Sequence, residues 1–188
     1  MNKEEINKAY ENLRDLEEKY PEYNTDLYND DDYSFNNFLI KYLPLCKDEL
    51  TKQALFNVWA TYWKGEIVPY IKRAIDMGWK INVIPILFIA CEWRDTDFIT
   101  ELLKNGADPN VSFNYENSLE WVINGHNVEY HNHLNNWAYE SLYECLLILE
   151  KYGLKYNLYY QFDDDDYEFI NKCPILDLKK RLESIKFK

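Results

Sequence analysis

Three times the chain closes an apolar stretch on the same pattern, Gly-x-x-x-Asn: Gly78 to Asn82, Gly106 to Asn110 and Gly153 to Asn157. Counting back from each glycine, positions −4 and −7 are apolar every time. They are Ala74 and Ile71, Leu102 and Ile99, Leu149 and Leu146. That spacing predicts a helix with one buried stripe ahead of each glycine. Glycine then ends the helix, because it adopts the left-handed backbone that closes a helix at almost no steric cost. After Gly106, Ala107-Asp108-Pro109-Asn110 turns the chain with residues that favour turns for separate reasons. A chain punctuated in this way is constrained to short helices joined by tight turns.

Some of these stretches carry a family likeness. Glu101-Leu-Leu-Lys-Asn-Gly-Ala-Asp-Pro-Asn110 closely resembles the end of an ankyrin repeat. Pro85-Ile-Leu-Phe-Ile-Ala-Cys91 resembles the Thr-Pro-Leu-His-x-Ala opening of such a repeat, with proline expected in the first helical turn. Asn117-Ser-Leu-Glu-Trp-Val122 and Pro174-Ile-Leu-Asp-Leu178 look like weaker openings, and Trp63-Lys-Gly-Glu-Ile67 like a link between the two helices of a unit. The resemblance spans residues 53 to 182. It implies an all-α, ankyrin-like helical-repeat solenoid of about three units, a class that binds other proteins and seldom does chemistry. The glycines lie 28 and 47 residues apart, against about 33 in a standard unit. They read as one shortened unit and one with an insertion. No histidine follows Pro85 or Pro174, and Glu150 stands at −3 from Gly153, where the family has an apolar residue.

The expected organisation is one domain over 1–188. Residues 1–50 form a helical N-terminal cap, and 51–188 hold the repeat-like units, an insertion at 124–137 and a C-terminal capping helix. End units of this kind cover the exposed core of a solenoid. Helices are predicted at 3–20, 35–43 with Ser34 as N-cap, 48–63, 66–77, 85–93, 96–105, 117–124, 137–152 and 174–184. Residues 21–33, 111–117 and 158–172 are predicted loops.

Composition narrows the function. The 188 residues carry a net charge of −12 and are 47% hydrophobic. This field repels nucleic acid and anionic membranes and attracts basic proteins; acidity is also an ordinary route to solubility. Cys46, Cys91, Cys145 and Cys173 have no metal-like spacing and read as reduced core residues, which suits a cytoplasmic protein. The N-terminus lacks an apolar signal segment, and the longest apolar run, Val83 to Cys91, is too short to span a bilayer.

In ankyrin repeats the turn between units projects as a finger and often touches the partner. Two loops fall where that finger belongs. One holds Phe113 and Tyr115. The other runs through Tyr159, Tyr160, Phe162, Asp163, Asp164, Asp165, Asp166 and Tyr167. The aromatics supply contact area and the aspartates steer cationic partners; the same residues also fit a solvated loop with its rings packed underneath. An EF-hand calcium site lacks its alternating ligands and glycine. His126, His131 and His133, with Glu129, offer metal ligands for a metal-dependent enzyme, although a closed site needs more preorganised ligands than this polar insertion supplies. There is no phosphate loop, nucleophile elbow or credible catalytic carboxylate pair, and no cofactor is expected. The reading is a non-enzymatic binder of a basic protein, either an inhibitor, such as an immunity protein against a basic toxin, or a scaffold without inhibitory role.

Overall fold

Apolar residues at helical spacing build short helices here, several of them closed by glycine or proline. The computed structural model describes residues 3–28, 34–112, 116–124, 136–158 and 164–187. They are mostly helical. The α-helices are α1 (Lys3–Lys19), α2 (Tyr23–Tyr28), α3 (Ser34–Tyr42), α4 (Glu49–Trp63), α5 (Ile71–Asp76), α6 (Leu87–Trp93), α7 (Thr96–Lys104), α8 (Ser118–Asn124), α9 (Asn136–Lys151), α10 (Asp164–Lys172) and α11 (Leu176–Glu183). Two-residue strands β1 (Asn157–Leu158) and β2 (Lys186–Phe187) pair in parallel. Two compact units divide the chain, Met1–Ile86 and Leu87–Lys188.

In the first unit α1 packs on α4 through Ile6, Ala9 and Leu13, all buried. Residue 50, the expected cap boundary, lies in the opening turn of α4. Asp48 starts α4. Its carboxylate accepts from the Thr51 amide at 2.8 Å and the Thr51 hydroxyl at 2.7 Å, and Asn12 adds a third donor at 3.2 Å. The Thr51 hydroxyl bond leads in holding this carboxyl below its ordinary range, with the Thr51 and Leu50 amides and Asn12 assisting against partial burial. A depressed folded-state pKa stabilises fully above the unfolded value of about 3.9 and is lost as pH falls through the folded value. Asp48→Ala should cost about 0.5–2 kcal/mol at pH 7. The gap between the two proteins in urea midpoint should narrow below about pH 4. A gap that stays constant down to pH 3 would refute the charged cap.

The sequence prediction of a loop at 21–33 is corrected by α2. Six residues are too few for a helix to persist alone. Burial supplies the missing stability: Tyr23 and Leu27, one turn apart, are 3% and 1% exposed. The Tyr23 ring meets Phe38 at 5.1 Å and Tyr42 at 4.8 Å, both edge to face. The helix expected at 66–77 begins as a 3-10 helix, Lys64–Tyr70, containing Pro69, and becomes α-helical only at Ile71. Proline has no N–H to extend an α-helical ladder, so the regular helix starts after it. Pro85 and Pro174 stand two residues ahead of α6 and α11 rather than in their first turns. Ser34 is the first residue of α3 rather than its cap.

All three glycine stops have the same geometry. Gly78, Gly106 and Gly153 have φ of 108°, 94° and 90°. Each glycine N–H donates to the carbonyl three residues back: Ile75, Leu103 and Glu150. The next N–H reaches five residues back: Trp79 to Ala74, Ala107 to Leu102 and Leu154 to Leu149. This pair of hydrogen bonds satisfies carbonyls that a helix end leaves open. The −4 and −7 residues are all 0% exposed. Beyond Gly106 and its two chain neighbours, no atom lies within 4 Å of where a Gly106 Cβ would sit. Gly106→Ala should therefore cost only the backbone penalty, about 1–2 kcal/mol. Identical urea midpoints for the two proteins would overturn this.

In the second unit α6 packs on α8 and α7 on α9, while α6 also meets α7 and α8 meets α9. Asp95 caps α7 by accepting from the Phe98 amide at 3.0 Å. Asn117 and Glu120 form a reciprocal box at the start of α8. The Asn117 side chain accepts from the Leu119 amide at 2.8 Å, and the Glu120 carboxylate accepts from the Asn117 amide.

Candidate functional site

From Asp164 onward the predicted loop at 158–172 is helical, as α10. Asp164, Asp165 and Asp166 are the first three residues of α10. Negative charge is favoured at a helix start, where unpaired N–H groups leave a partial positive charge. The far end of α10 is anchored by packing. Phe169 stacks on Tyr139 with centroids 4.5 Å apart, the Tyr139 hydroxyl donates to the Phe169 carbonyl at 3.0 Å, and Ile170 is buried. Lys179 ties α10 to α11 by donating to the Asn171 carbonyl at 3.1 Å. Against this anchored side, Tyr167 is 49% exposed. Glu168 pairs with Lys172, and the Lys172 hydrogen bond holds the Glu168 carboxyl below its ordinary range. The described part of the segment thus carries an exposed Tyr167 ring on a helix anchored at its far end.

The other candidate binding residues, Phe113, Tyr115, Tyr159, Tyr160, Phe162 and Asp163, lie outside the described residues, as do His126, His131 and His133 with Glu129. Among the described residues no group of three or more His, Cys, Asp or Glu side chains is arranged to hold a metal ion. No helix among them is long and apolar enough to cross a membrane. The four cysteines are buried free thiols. Burial raises Cys46 to about 11 and Cys145 to about 12, with Cys91 also raised, so none of these three is a ready nucleophile.

Sequence reasoning missed the polar groups that fasten this end of the chain. Glu150, odd in the family pattern, accepts from the Tyr156 hydroxyl at 2.8 Å and pairs with Arg181 of α11. Arg181 also donates to Asp177 at 2.9 Å, and the Tyr143 hydroxyl of α9 donates to the same carboxylate at 2.7 Å. Tyr143 and Arg181 together hold the Asp177 carboxyl below its ordinary range. The only sequence signal was the charge at a position where an apolar residue was due.

Amide side chains hold the Gly78 and Gly153 turns. Asn110 donates to the Gly153 carbonyl at 2.9 Å and accepts from the Lys155 amide at 2.7 Å. Gln53 does the same to Gly78 and Lys80, at 3.0 and 2.7 Å. Both clamps grip a glycine and the second residue after it. Asn117 donates to the Asn157 carbonyl at 2.9 Å, so the Gly153-to-Asn157 turn is held at its far end too. Arg94 ends α6 with φ of 52°, a strained value for a residue with a Cβ. Its guanidinium donates to the Val122 carbonyl at 3.2 Å and the Ile123 carbonyl at 3.4 Å, near the negative end of α8. Glu92, Glu116, Glu120 and Trp121 line a pocket beside α8, where the Trp121 ring stacks on Phe88 at 5.8 Å.

Compared with known proteins, the chain matches no family model, no curated protein and no solved structure.

Proposed function

We propose that this chain is a non-enzymatic, ankyrin-like protein-binding module whose partner is a basic protein. The observation that carries the reading is the threefold glycine stop, with its φ values, paired hydrogen bonds and buried −4 and −7 residues in common. Repeat units need the same stop at the same place relative to the core stripe, because each must present an equivalent face to its neighbour. The packing of α6 on α8 and of α7 on α9 supports the same reading within the second unit. So do the amide clamps, which grip equivalent positions of two different turns. The net charge of −12 favours a cationic partner. Buried free thiols suit a reducing compartment such as the cytoplasm.

The surface assigned to the partner is Asp163 to Asp166 with Tyr167, together with Tyr159, Tyr160 and Phe162, and Phe113 and Tyr115 of the other loop. Affinity capture from the native cell with mass spectrometry identifies the partner. Assaying the partner's own activity with and without this chain separates an inhibitor from a scaffold. Steering and anchoring then separate kinetically. Converting Asp163, Asp164, Asp165 and Asp166 to asparagine should slow association by about tenfold or more at low salt and flatten its salt dependence, because steering acts on the on-rate. Tyr167→Ala should instead speed dissociation by about thirtyfold, the equivalent of about 2 kcal/mol at a binding hot spot. Unchanged rates for both variants at two salt concentrations would remove this surface from the binding site.

A further inference from the structure

We draw no further inference here: the strongest candidate, the pocket beside α8 lined by Glu92, Glu116, Glu120 and Trp121, has an acidic lining with nothing in the structure that specifies what would occupy it.

Discussion

Trp59→Ala is expected to lower the unfolding free energy by about 3–5 kcal/mol, the range for deleting a large buried aromatic side chain. Trp59 is 0% exposed on α4. Its ring meets Trp79 edge to face, with centroids 6.0 Å apart. Trp79 is the residue after the Gly78 stop, and its indole N–H donates to Asn57 at 3.2 Å, while Asn57 donates to the Ile84 carbonyl at 3.0 Å. Removing the Trp59 ring therefore opens a cavity and takes away one wall of the packing that sets the 78–84 turn. Trp59→Phe retains an aromatic ring against Trp79 and should lose distinctly less. Urea unfolding followed by far-ultraviolet circular dichroism measures both. A midpoint shift at unchanged slope reports stability alone. An alanine variant within about 0.5 kcal/mol of the parent, the usual range of a neutral surface change, would mean that this indole is not part of the core.

Leu102→Ala tests the second unit and should cost about 2–5 kcal/mol. Leu102 is 0% exposed, and its carbonyl accepts the Ala107 amide at 3.0 Å in the Gly106 stop. The substitution leaves that backbone bond available and alanine favours helix, so the loss comes from burial and cavity rather than from helix propensity. Glu101→Ala is the control, one residue away on the same helix. Its carboxylate bonds Lys104 at 3.1 Å and the Asn105 side chain at 2.9 Å, half-buried contacts of small expected value. Similar midpoints for the Leu102 and Glu101 variants would show that the stripe at −4 from glycine does not face the core.

What could be read from residues alone was local chemistry. A glycine stop depends on atoms within five residues of it, so Gly78, Gly106 and Gly153, with their −4 and −7 partners, were visible as a pattern and have the expected backbone. The helices at 3–19, 49–63, 96–104 and 136–151 were legible for the same reason, since helical periodicity is short-range.

Tertiary structure decided the rest. Helices α2 and α10 are six and nine residues long, below the length at which a helix persists alone in water, and they exist because Tyr23, Leu27, Phe169 and Ile170 found rings or burial elsewhere in the chain. That makes a helix of the expected loop from Asp164 to Lys172, with Tyr167 exposed on it. Asn110 looked like one more turn residue until its amide met Gly153, 43 residues on. Glu150 looked like a defect until Arg181 met it from 31 residues away. The division at Ile86 and Leu87 follows from which helices pack together. Such pairings depend on where the folded chain returns, and no local spacing encodes the partner of a side chain that bonds across tens of residues.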